Sequence, residues 1–445
     1  MKKSQELNMP MINLHAAGID IGSKEHWVSV GQDAGSVKVF GVLSADNLAI
    51  IDWLKQHEVT SVAMESTGNY WQVLFNELER AGFHVVLCSL RGIKNPKGKT
   101  DNKDCCWIQK LHTLGLLNAS FVPSHEIETL RSYTRHRNNL MEQASACSNK
   151  MQKTLRLLNV RLELVISDIT GVSGLKIIKA IIDGQRDAIA LANLAHFSVK
   201  KTKEEIAAAL LGNWREEQLF ILEDLYEQYL SVQTRIKKTE TKAETILSNM
   251  CMKEDTKVLP KNMSSKKRMK GQYNINVSKL GYQYFGVDLM KIDGVSYNTV
   301  MTLIAEVGHD IIKFPSSKAF ASWLRLAPNV KVSGGKVLSS KTPQNRNTLS
   351  VALRNAANTI AQRKDGYLKQ FFSRIAYRKG RAAAITATGR KLAVIIYNMI
   401  MKKEEYNPIT EIHYEQKIKQ HAISNIKRTM KRLKLDQKDL QWAVG

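Results

Sequence analysis

Hydrophobic and polar positions change period along the chain, and the changes mark its elements. Residues 15–31, HAAGIDIGSKEHWVSVG, read as a strand, a Gly-Ser-Lys turn and a second strand carrying Trp27, Val28 and Val30. Val37 to Leu43 suits a third strand, and Asn47 to Gln56 follows a helical spacing. Ser61 to Met64 is a short apolar strand ending at Glu65; Trp71 to Ala81 predicts a helix, and Val85 to Cys88 another buried strand. Strands alternating with helices after an opening hairpin predict an α/β sheet covered by helices. Ligands of such sheets gather at the carboxyl ends of the strands, which is where Asp20 and Glu65 fall.

After residue 125 the period is helical. Spacings of three and four link Leu130, Tyr133, Arg137, Leu140, Ala144, Cys147, Met151, Thr154 and Leu158, and again Leu222, Leu225, Tyr229, Val232, Ile236, Thr239, Ala243, Ile246 and Met250. Both are heptad-like seams, which predict either a coiled coil within or between chains or a plain helical bundle. Residues 171–212, between them, read as shorter helices. Residues 253–285 lose the period and carry Lys261, Lys266, Lys267 and Lys270, the pattern of a basic linker or a loop that touches nucleic acid. From Asp288 to Tyr406 the chain is again mostly helical, with an interruption at Ser333-Gly334-Gly335. Its first part, LMKIDGVSYNTVMTLIAEVG (289–308), reads as a helix–turn–helix hairpin of the kind that grips a DNA backbone through turn amides. The tail, Tyr414 to Val444, reads as one or two basic helices. The expected organisation is an α/β domain (1–125), a helical or coiled-coil region (126–252), a basic linker (253–285), a mostly helical domain (286–410) and a basic helical tail (411–445).

Charge narrows the class of partner. The chain has 66 Lys and Arg against 41 Asp and Glu, a net charge of +25. Such an excess concentrates polyanions, and counterion release favours contact with phosphates. Five scattered cysteines (Cys88, Cys105, Cys106, Cys147, Cys251) with no Cys-x-x-Cys argue against a disulfide framework and a structural zinc site, and fit a reducing cytoplasm. No run approaches the ~18 apolar residues of a membrane span. A soluble, cytoplasmic protein that works on nucleic acid is expected.

Cleavage of a phosphodiester by two divalent ions needs carboxylates that converge on one point and hold the metals ~4 Å apart. Four acids are candidates: Asp20 in GIDIG, Glu65 after Val62-Ala63-Met64, and the pair Asp101 and Asp104. If Thr100 caps a helix, the pair falls in its first turn on one face. Acids are also favoured there by the helix dipole alone, so a purely structural role stays open for them. Asp20 is harder to explain that way, because an unpaired carboxylate in an apolar strand is costly to bury. Ser333, followed by two glycines and set among basic residues, is sterically open and could attack phosphorus; by chemistry alone it suits a turn better than a nucleophile. Ser316, Ser317, Ser339 and Ser340 are nearby alternatives. Lys341, Arg346, Arg354, Arg374, Arg378, Lys379 and Arg381 are candidate phosphate contacts or solvated surface charges.

The segments GIDIGSKEHWVSV, VAMESTGNYW, the KTDNKD run leading into a helix, and FVPSHEIETLRSYTRHRNNL resemble the IS110 family of insertion-sequence transposases, relatives of the Piv DNA invertase. The likeness extends over roughly residues 15–195 and 286–407. It implies an RNase H-like (RuvC-like) first domain whose Asp-Glu-Asp-Asp set, here Asp20, Glu65, Asp101 and Asp104, binds magnesium. It also implies a second domain with a catalytic serine in an SGG-type segment after a Trp/Leu-rich helix and a proline, matching Trp323 to Pro328 and then Ser333. The expected fold class is thus α/β plus α: a RuvC-like domain, a helical arm and a helical carboxyl-terminal domain. The expected activity is magnesium-dependent cutting and exchange of donor and target DNA through a serine–DNA ester. A structured bridge RNA would guide it, and the protein would work as a homo-oligomer, dimer or tetramer, with Ser333 supplied from the same or another subunit. A RuvC-like nuclease or junction resolvase using water, and a non-catalytic architectural binder, are the competing classes.

Overall fold

The computed structural model describes residues 10–31, 34–66, 68–89, 100–252, 259–260, 263, 266–343, 347–407 and 410–433. Two compact units divide the chain, Met1–Val122 and Pro123–Gly445.

The first unit holds β1 (Ala16–Ile21), β2 (His26–Ser29), β3 (Val37–Phe40), α1 (Ser44–Gln56), β4 (Ser61–Glu65), α2 (Trp71–Arg80), β5 (His84–Cys88) and α3 (Asp101–Thr113). The five strands form one sheet in the order β3-β2-β1-β4-β5. The β1–β2 and β2–β3 pairs are antiparallel, whereas β1–β4 and β4–β5 are parallel. Side chains alternate across the sheet, and the two faces of its centre differ in bulk. Ala17, Ile19 and Ile21 of β1 and Val62 and Met64 of β4 join one apolar core with Ile50, Ile51 and Leu54 of α1 and Leu74, Phe75 and Leu78 of α2. The opposite face carries Gly18 and Ala63, paired in register, and α3 packs there. A β-carbon on Gly18 would lie 2.3 Å from the Gln109 amide nitrogen and 2.5 Å from the Cys105 carbonyl oxygen, so only glycine lets the helix backbone come this close.

The second unit opens with α4 (His125–Leu157) and continues through α5 (Leu162–Val165), α6 (Val172–Ile182), α7 (Ala188–Asn193), α8 (Lys203–Ala209) and α9 (Glu216–Met252). The two seams meet within the chain. Leu140, Ala144, Cys147, Met151 and Leu155 of α4 share a core with Leu222, Leu225, Tyr229, Val232 and Ile236 of α9, into which the short helices also pack. The helices run antiparallel: Arg137 pairs with Glu240, and further along α4 Cys147 meets Gln228. Arg137 and Glu240 are both 3% exposed and 2.6 Å apart. The guanidinium also donates to the Gly271 carbonyl and lies 3.9 Å from the centre of the Tyr273 ring, while the Asn274 amide donates to Glu240.

The rest is α10 (Val277–Phe285), α11 (Tyr297–Glu306), α12 (Ser317–Trp323), the hairpin β6 (Lys331–Ser333) and β7 (Lys336–Ser339), α13 (Thr348–Ala361), α14 (Tyr367–Lys379), α15 (Arg381–Lys402) and α16 (Thr410–Leu433). Several expectations need correction here. The end of the stretch read as a linker is α10, with Val277, Leu280, Tyr284 and Phe285 buried. Of its lysines, Lys266 donates to the Ile292 and Val295 carbonyls, and Lys270 to Asp168 and Thr170. Burial holds the Lys266 ammonium below the usual lysine range. Both satisfy protein acceptors rather than standing ready for phosphate; Lys261 lies outside the described residues. The expected hairpin at 289–308 has only a single 3-10 turn, Leu289–Lys291, before α11. Its Gly294 (φ 76°) packs on α13, where a β-carbon would stand 2.5 Å from the Ala356 carbonyl oxygen. Among the described residues no helix is long and apolar enough to cross a membrane.

Candidate functional site

The acid site follows from how the first unit is assembled. Asp20 lies two residues beyond Gly18 on β1, so its side chain leaves the sheet on the α3 face. Glu65 ends β4, and the parallel register Gly18↔Ala63, Ile19↔Met64 carries Asp20 and Glu65 side by side to the carboxyl ends of neighbouring strands. Helix α3 rests on Gly18 through Cys105 and Gln109. One turn earlier on the same helical face is Asp101, and Asp104 follows it in the first turn. Thr100 stands at the N-cap with extended backbone, which puts both acids in the first turn; its side chain makes no capping hydrogen bond, and its carbonyl accepts from the Asp104 amide.

All four acids line one open cleft of 490 Å³, together with Ile21, Gly22, Ser23, Lys24, Glu25 and Trp27. Asp20, Glu65 and Asp104 are half-buried and Asp101 is exposed. The cleft's acids offer only hard oxygen donors, the kind magnesium prefers. Among the described residues no three His, Cys, Asp or Glu side chains are gathered tightly enough to hold one ion. The acids therefore share a cleft rather than a ready-made cage. Behind them, burial pushes the Cys105 thiol up to about 12, with Cys106 and Asp20 adding to it, and burial with the Glu65 charge does the same for Cys88.

The wall residues Lys24, Glu25 and Trp27 were not among the candidates. Their signal lay in the hairpin register: Asp20 pairs with Trp27 across β1–β2, which puts both on one face.

In the second unit Ser333 ends β6, and its register partner Lys336 begins β7. The two-residue turn between them, Gly334 (φ 52°) and Gly335 (φ 74°), has both central residues left-handed, as tight hairpins require. Ser333 is exposed, as are Lys331 and Lys336. Ser316, one competitor, is occupied as the cap of α12 and accepts from the Ala319 amide; the Ser339 hydroxyl accepts from the Lys341 amide. Residues 311–403 contain one acid, Asp365, against nineteen Lys and Arg. Of the candidate cations, Lys341, Arg378, Lys379 and Arg381 are exposed, and Arg381 donates to Asn358. Arg374 is half-buried, 5.9 Å from the Phe371 ring centre. Arg354 is half-buried with its Nε enclosed and without a hydrogen-bond partner among the described residues. Arg346 lies outside those residues.

Comparison with known families adds to this picture. Residues 17–160 match the DEDD-type transposase model of IS110 elements, and residues 288–373 match the model described as "Transposase IS116/IS110/IS902 family". Together the two matches cover just over half of the chain. No curated protein matches it. The first match takes in every acid of the cleft and the second takes in Ser333. The chain belongs to the IS110 family: it is a DNA transposase, an enzyme of insertion-sequence transposition.

Proposed function

We propose that this transposase cuts and rejoins DNA through a serine–DNA ester, with two magnesium ions held by Asp20, Glu65, Asp101 and Asp104 on an RNase H-like sheet. The observation that carries the reading is the convergence of four acids from three elements, β1, β4 and α3, on one cleft. Bound magnesium would stabilise charge on the phosphoryl and leaving oxygens. Ser333 supplies the nucleophile: its Oγ–phosphorus bond forms as a backbone phosphorus–oxygen bond breaks, and the serine proton ends on the leaving DNA oxygen. The ester conserves the bond energy, so a hydroxyl from another DNA end can reverse the step and free the serine. The acid-free stretch around Ser333 gives a positive field that draws in phosphate.

Donor and target DNA are the substrates. A structured bridge RNA pairs with both and supplies sequence choice, leaving the protein to read backbone and shape, as RNA-guided systems do. The net charge of +25 supports that role, and the exposed Lys341, Arg378, Lys379 and Arg381 are proposed phosphate contacts. The protein acts as a homo-oligomer, dimer or tetramer, on cytoplasmic DNA.

The test is a stalled reaction on suicide DNA, using protein co-expressed with the DNA that flanks its gene. A covalent adduct is expected, lost in both Ser333→Ala and Asp20→Asn. Full cutting by Ser333→Ala with none by Asp20→Asn would assign the nucleophile to water. Sequencing of co-purified RNA tests the guide: absence of one discrete species rejects it.

A further inference from the structure

Trp27 has no part in the chemistry just described, yet it lines the same cleft. Its register partner is Asp20, and the two side chains leave the sheet on the same face. The indole is half-buried and lines the cleft with all four acids. Its Nε1–H donates to Glu25 Oε1 at 3.0 Å, which satisfies the polar edge and fixes the ring plane. Glu25 is itself held in place: the Gly22 amide donates to the Glu25 carbonyl at 3.1 Å, and a β-carbon on Gly22 would lie 2.6 Å from that oxygen, so the turn closes only with glycine there.

A cleft that held only metal and phosphate would gain nothing from a flat apolar wall. A nucleobase has a π-face to cover, and aromatic rings bind such faces with little regard to base identity. We propose that Trp27 stacks on a base of the cut DNA strand next to the scissile phosphate, and that Glu25 is a positioning residue that sets the ring rather than a fifth metal ligand. This rests on the reading that the acid cleft receives that phosphate.

The experiment places 2-aminopurine, one position at a time, along the cut strand, with calcium replacing magnesium to hold the DNA uncut. Emission quenched at the base flanking the cut, and restored in Trp27→Ala, is expected; equal emission at all positions in the wild-type protein overturns stacking without recourse to any variant. In magnesium, Trp27→Ala should cut about 10- to 100-fold more slowly, with Trp27→Phe recovering most of the loss. Glu25→Ala should fall about tenfold, whereas Glu25→Gln, which keeps an acceptor oxygen for the indole, should recover most of that loss. Glu25→Gln as inactive as Asp20→Asn would make Glu25 a metal ligand and overturn the positioning role. Cutting by Asp20→Asn would instead sink the underlying site, whereas an inactive Asp20→Asn beside an unaffected Trp27→Ala sinks only the stacking.

Discussion

Gly18 of β1 and Gln109 of α3 touch backbone to backbone: a β-carbon on the glycine would stand 2.3 Å from the Gln109 nitrogen. This contact sets where the first turn of α3, and with it Asp101 and Asp104, comes to rest beside Asp20.

Gly18→Ala should therefore separate the acids. Overpacking of this kind costs about 1–3 kcal/mol, and the helix has no side chain to move in compensation because the clash is with main chain. A lower melting temperature and a loss of strand cleavage are expected. Gly35→Ala, with nothing within 4 Å of its β-carbon, is the control and should leave both unchanged. Normal cleavage by Gly18→Ala would dissociate the contact from the site.

The hairpin of Ser333 makes its own demand. Replacing Gly334-Gly335 with Asn-Gly keeps residues that tolerate left-handed backbone and should preserve adduct formation. Val-Val at the same positions opposes both φ angles and should abolish it while leaving the melting temperature of the helical core within about 1 °C, since no hairpin residue is buried. Adduct at wild-type level in the Val-Val protein would show that the turn does not present the serine.

Arg137→Met leaves Glu240 buried without its partner. Breaking such a pair costs about 3–5 kcal/mol, whereas removing both charges costs far less. Urea unfolding should show the single variant strongly destabilised and Arg137→Met/Glu240→Leu largely restored. Equal losses in the two proteins would assign the effect to the Gly271 and Tyr273 contacts of Arg137 instead.

His112 supplies a pH dependence. Its Nε2 lies 2.7 Å from Ser61 Oγ within the first unit, and burial, aided by His84, lowers its pKa to about 4 from 6.5. Between those values the unfolded chain binds a proton that the folded chain does not. Stability is therefore full above pH 6.5 and falls as pH drops towards 4, by at most about 3 kcal/mol. Unfolding at pH 7 and pH 5 should differ less in His112→Gln than in the natural protein; identical slopes would remove His112 as the cause.

Much of the first unit was legible because its strands are short apolar runs cut by glycine and acid. Asp20 stood out for the same reason, being a carboxylate where the pattern called for an apolar residue. The long seams of α4 and α9 were legible too, though the period alone reports a buried face and not its partner. Less readable were features set by tertiary contacts. Helix α10 has helical spacing in Val277, Leu280, Tyr284 and Phe285, but over nine residues next to a lysine-rich stretch the signal was lost. Lys266 and Lys270 looked like phosphate ligands because their acceptors, the Ile292 and Val295 carbonyls and Asp168, lie far off in sequence. Glu25 and Trp27 needed the hairpin register, which periodicity does not supply.

The β6–β7 hairpin, Lys331–Ser339, buries none of its nine residues. Two strands with no covering layer are barely stable in water by themselves, so amide hydrogens of Lys331–Ser339 should exchange with solvent far sooner than those of β1 and β4. For the serine–DNA ester proposed above, the consequence is that the Ser333 hydroxyl would take a fixed position only where a surface lies against the hairpin.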